Sequence, residues 1–76
     1  MDKIYEILAN IRPEFDFKVS ENYIEDGLLD SFDMVTLVSD LEAEFDVIID
    51  GLDIIPENFV SVVTILDMVK KNGGNK

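Results

Sequence analysis

Few side chains in this sequence can do chemistry, and the most suggestive of them is a single serine. The chain has no histidine and no cysteine, so Ser31 has no conventional base beside it to make it a nucleophile. Its neighbours are Asp30 and Phe32, and no Lys or Arg lies between Asp26 and Asp67. Carboxylates are abundant, but the helical pattern puts most of them on exposed faces, where nothing tunes them for proton transfer. The sequence therefore predicts no catalytic residue and no enzyme. A serine at the start of a helix most commonly caps it through its side chain. It is also a favourable place for an anion. The first amides of the helix lack partners and its dipole is positive there, so a phosphate ester on the Ser31 hydroxyl would be stabilised.

A second constellation invites a metal. Asp46 to Glu57 has the length of an EF-hand loop, with Asp46, Asp50, Gly51 and Glu57 at the first, fifth, sixth and twelfth positions. Ile48 and Ile54 stand where oxygen ligands are needed, and Pro56 disturbs the exit helix. A calcium-binding domain is thus a weak competitor, and the expectation is no dedicated metal site, only superficial attraction of divalent ions by clustered acids.

The elements that must position Ser31 follow from hydrophobic spacing. Ile4, Ile7, Leu8 and Ile11 recur at helical intervals, with Asp2 placed to cap and Pro13 to close, which predicts a helix over 2–12. Residues 13–30 show no clear period. They hold Phe15, Phe17, Val19, Tyr23, Ile24, Leu28 and Leu29, too many apolar groups for a floppy linker, and read as an ordered loop across the core with a helical turn near Ser20–Tyr23. Helix two begins at Asp30 or Ser31. Met34, Leu37, Val38, Leu41 and Phe45 form its inward stripe, while Asp33, Thr36, Asp40, Glu42, Ala43 and Glu44 fall mostly on the other side. Phe32 and Val35 lie off the stripe. Gly51 marks a break, Pro56 opens a short helical turn through Phe59, and Ser61 caps a last helix. That helix has Val62, Ile65, Leu66 and Val69 inward and Lys70 and Lys71 at its negative end. Residues 72–76 read as a frayed tail. The fold predicted is all-α: a single domain over 1–76 with three main helices, one short helix and a long first loop.

Composition narrows the function. Seventeen acids face six bases, for a net charge of −11. Nucleic acids and anionic membrane surfaces would repel such a molecule. The acids either keep a small domain soluble or form a docking face for basic partners. A domain of 76 residues buries only about 60% of the surface its unfolded chain exposes, which leaves little room for a deep cleft. No apolar run approaches the roughly 20 residues needed to span a bilayer. No signal-peptide pattern opens the sequence, and the expectation is a cytoplasmic monomer.

The ordered motifs resemble the acyl carrier protein family, the phosphopantetheine carriers. The family's Gly-x-x-Asp-Ser-Leu/Met signature is similar to Gly27-Leu28-Leu29-Asp30-Ser31-Phe32. It is followed by an acidic amphipathic helix ending Glu42-Ala43-Glu44-Phe45-Asp46, and later by Pro56-Glu57-Asn58-Phe59, Ser61-Val62 and Ile65. The resemblance spans essentially the whole sequence. It implies a four-helix carrier bundle in which Ser31 is the attachment point of a covalent 4'-phosphopantetheine arm. Asp30 would assist the transferase and its magnesium, and Phe32, Asp33, Val35 and Glu42 would face partners. Those partners would be a phosphopantetheinyl transferase, an acyl- or aminoacyl-loading ligase, and acyl-processing enzymes with basic docking faces. Phe32 in place of Leu or Met is similar to D-alanyl carrier proteins of teichoic acid modification, and Thr36 stands where fatty-acid carriers usually have Glu. A specialised aminoacyl carrier is therefore an alternative to a role in fatty-acid synthesis. An unmodified acidic interaction module is a further one.

Overall fold

Ile4, Ile7 and Leu8 come together on one side of a first helix, α1 (Asp2–Ile11), and all three are buried. The computed structural model describes residues 2–73 and is all-helical; Met1, the Asp2 side chain with its expected capping role, and residues 74–76 lie outside the described residues. Two further α-helices follow, α2 (Ser31–Phe45) and α3 (Val62–Lys71), with two 3-10 helices, Gly51–Asp53 and Pro56–Phe59, between them. No strand occurs among the described residues. The short helix expected after Pro56 is thus a single 3-10 turn, with proline at its start and Phe59 fully buried beneath it. The Cα radius of gyration, 11.1 Å, matches the about 11.4 Å expected of a packed domain this long.

α1 packs mainly on α2, and α3 packs on the second 3-10 turn and on α1. Ion pairs fix the relative direction of the first two helices. Lys3 near the start of α1 meets Glu44 near the end of α2 at 2.8 Å, and Arg12 just beyond α1 meets Asp33 in the first turn of α2 at 2.9 Å. The two helices therefore run antiparallel. Every member of the expected α2 stripe, Met34, Leu37, Val38, Leu41 and Phe45, is buried. In α3, Val62, Ile65 and Val69 are buried as expected, Leu66 is half-buried, and Met68 joins the core.

The segment 13–30 contains no helix, yet it is ordered over the core by Tyr23. This residue is fully buried; its amide donates to Val60 O at 2.8 Å and its hydroxyl to Phe17 O at 2.9 Å. Phe17 and Leu29 are buried with it, and Phe17 meets Tyr23 edge to face at 5.0 Å, a favoured aromatic geometry. Val19, by contrast, is exposed. The helical turn lies at 23–27 rather than 20–23, because the Asn22 side chain accepts from the amides of Ile24 and Glu25 and so initiates it there. Gly27 ends the turn at φ +74°, a left-handed conformation that glycine adopts without steric cost. The chain then reverses, and the amides of Leu28 and Leu29 both donate to Tyr23 O. In structural terms, the glycine of the Gly27–Phe32 motif is what delivers Asp30 and Ser31 to the start of α2.

Candidate functional site

Ser31 is the first residue of α2, but Asp30 is its cap. The Asp30 backbone is extended, and its carboxylate accepts from the Asp33 amide at 2.9 Å. Asp33 reciprocates, its Oδ2 accepting from the Asp30 amide at 3.3 Å. This is a capping box built from two aspartates. The expectation that a serine here caps the helix is therefore corrected: Asp30, one residue earlier, takes the role. The Ser31 side chain is exposed and is engaged in no hydrogen bond among the described residues.

The amides at this helix start are also less open than the sequence suggests. Of the first four amides, that of Asp33 is bound by the Asp30 side chain and that of Asp30 by the Asp33 side chain. The capping bond from the Asp33 amide, helped by nearby Arg12, holds the Asp30 carboxyl below the usual carboxylate range. A negative charge already satisfies the helix terminus, which leaves less of the dipole for a phosphate on Ser31.

Asp33 is the main correction among the proposed site residues. It was expected on the exposed face, but it is buried, and its Oδ2 also accepts from Arg12 Nε at 2.9 Å. Periodicity along α2 cannot see a partner that arrives from the end of another helix. Arg12 bridges further, to Asp30 Oδ2 and Glu14 Oε2, each at 3.5 Å, and this carboxylate setting raises the guanidinium pKa, with Asp33 the leading cause. Glu42 is also committed internally: half-buried, it accepts the Ile49 amide at 2.9 Å and so holds the segment that leaves α2. Glu44 binds Lys3. Among the described residues, Asp40 is the one acid of α2 without such a partner.

Phe32 and Val35 stand where the sequence places them, off the stripe and 83% and 64% exposed. With Ser31 they line a shallow open hollow of about 320 Å³. Ser31 and Val35 share one helix face by their spacing of four. The surface around the serine is thus apolar and uncharged on one side and a closed aspartate–arginine network on the other.

In the segment 46–57, Asp46 ends α2 in the left-handed conformation, with its amide bonded to Glu42 O. Asp50 caps the first 3-10 turn through the Leu52 amide. Asp53, which the sequence reading passed over, is buried between Lys71 Nζ at 2.7 Å and Asn72 Nδ2 at 3.1 Å. Asn72 also accepts the Asp50 amide at 3.0 Å. The first residue of the expected frayed tail is therefore a latch between α3 and this segment. No group of three or more metal-type side chains is arranged to hold an ion among the described residues. No helix among them is long and apolar enough to cross a membrane.

The sequence signal for Asp33 was present in its spacing of three from Asp30, but nothing local marks Arg12 as its partner. Compared with known proteins, the chain matches no family model, no curated protein and no solved structure.

Proposed function

We propose that this protein is a carrier that holds an acyl or aminoacyl group as a thioester on a 4'-phosphopantetheine arm attached to Ser31. The observation that carries the reading is the serine itself: exposed, free of hydrogen bonds to the described residues, and presented at the first position of a helix whose cap is another residue. A tether needs an accessible oxygen and open space. Both are supported here, because the hollow beside Ser31 is wide and shallow rather than a cage. The arm, when attached, supplies the thiol on which the cargo is carried.

The chain's own contribution is positional. In attachment, Ser31 Oγ attacks the arm-bearing phosphorus of a diphosphate ester: the new O–P bond forms as the diphosphate P–O bond breaks, the other phosphate leaves with that electron pair, and the serine proton passes to a base of the transferase. Asp30 directly precedes the serine and, by resemblance, is the residue that would help a transferase hold magnesium. The architecture is read as a four-helix carrier in which the 3-10 turn Pro56–Phe59 replaces the short helix. Partner docking falls to Phe32 and Val35 on the exposed face of α2 and less to its acids, since Asp33 and Glu42 are bound internally. Phe32 and Thr36 favour an aminoacyl or other specialised cargo by resemblance.

Intact mass after co-production with a phosphopantetheinyl transferase tests this reading. A gain equal to one arm supports it, whereas an unchanged mass with an active transferase favours an unmodified interaction module.

A further inference from the structure

One guanidinium ties down the two aspartates on either side of Ser31. Arg12 leaves the end of α1 and reaches both members of the aspartate box that brackets the serine, Asp33 at 2.9 Å and Asp30 at 3.5 Å. Its Nε is aimed at the same Asp33 oxygen that accepts the Asp30 amide. The bond spans 21 residues of sequence and joins α1 to the far side of the ordered segment 13–30. A fork of donors in fixed geometry orients a carboxylate as a lysine ammonium does not. By contrast, Ser31, Phe32 and Val35 open on the hollow, away from this network.

We infer that Arg12 is a positioning residue for the modification of Ser31, fixing the first turn of α2 so that the hydroxyl is presented in one orientation to a modifying enzyme. This inference rests on the carrier reading. Reaction geometry is sensitive to small displacements of the attacking oxygen. Loosening the turn therefore slows the chemical step, while the exposed docking residue Val35, one turn further along α2, remains in place. The consequence is a split between kcat and KM.

The test measures arm transfer to the folded full chain by a phosphopantetheinyl transferase, at a temperature well below every midpoint. The variants are Arg12→Lys, Arg12→Met, Arg12→Met combined with Asp33→Asn, and Lys3→Gln as a control that breaks the other ion pair between α1 and α2. Arg12→Met is expected to lower kcat roughly 10-fold or more with KM changed less than about 3-fold. Arg12→Lys should fall in between, keeping charge but not the fork. The double variant removes the unpaired buried charge and recovers thermal stability, yet kcat stays low, because the turn is still untied from α1. Lys3→Gln should match the unaltered chain. Recovery of kcat in step with stability in the double variant would reduce Arg12 to a structural role and overturn the inference. So would an unchanged kcat in Arg12→Met. An unaltered chain that accepts no arm would instead defeat the carrier reading.

Discussion

At the scale of single residues, the site separates two roles that sequence alone merges: Asp30 caps α2 and Ser31 is left free. Ser31→Ala should thus change stability by less than about 0.5 kcal/mol, as for a surface position away from caps and core, while Asp30→Ala should lower the thermal midpoint by about 4–8 °C through loss of the cap. Thermal unfolding by circular dichroism compares them, and a larger loss in Ser31→Ala than in Asp30→Ala would contradict the assignment of the cap. Asp33→Lys belongs with the second group. It removes the acceptor shared by Arg12 and the Asp30 amide, so it should cost about 1 kcal/mol through the loss of two part-buried hydrogen bonds. It is not a neutral surface reversal. Gly27→Ala should cost about 1 kcal/mol, because a side chain at φ +74° meets backbone strain although its Cβ has open space.

At the scale of elements, the two carboxylates held low, Asp30 and Asp53, make stability depend on pH in a defined sense. Lys71, and after it Asn72, holds the Asp53 carboxyl below its usual range, and Asp53 in turn raises the Lys71 ammonium. A depressed carboxylate contributes stability above about pH 3.9 and loses it as pH falls through the lowered value. A raised lysine contributes below about pH 10.4 and loses it as pH climbs through the raised value. The stability gap between the unaltered chain and Asp53→Asn, from urea midpoints, should therefore be steady from about pH 5 to 9 and shrink at both extremes. A gap that is constant down to pH 2 would show that the latch is not ionic. Tyr23, raised chiefly by burial, adds to the alkaline loss in both chains and so drops out of the difference.

The helices themselves were legible. Spacings of three and four among apolar residues place α1, α2 and α3 within a residue of where they lie, because a helix buries one stripe whatever its neighbours do. Two kinds of feature were not. Asp33, Asp53 and Asn72 are held by partners 18 to 22 residues away, and no local period encodes such pairings. The turn at 23–27 depends on one asparagine side chain reaching forward, while the apolar content of 13–30 revealed only that the segment packs. The position of the serine at the start of α2 was legible, but the closed network behind it was not.

At the scale of the molecule, a net charge of −11 sits on a domain only 29 × 23 × 19 Å in extent, so its acids repel one another within a few Debye lengths. Screening at 0.1 M salt shortens that reach to about 10 Å, and the thermal midpoint should rise between low and moderate salt. A midpoint that falls instead would mean that the pairs Lys3–Glu44, Arg12–Asp33 and Lys71–Asp53 outweigh the general repulsion. The exposed surface at Phe32 and Val35 carries none of this charge, and under the carrier reading it is where a partner would approach α2.

The account turns on one oxygen, and localising the arm tests it most directly. Fragmentation mass spectrometry of chain co-produced with a phosphopantetheinyl transferase should place the whole added mass on Ser31 and none on Ser20, Ser39 or Ser61, with Ser31→Ala folded and unmodified. Added mass on any of those other serines, or modification that persists in Ser31→Ala, would contradict it.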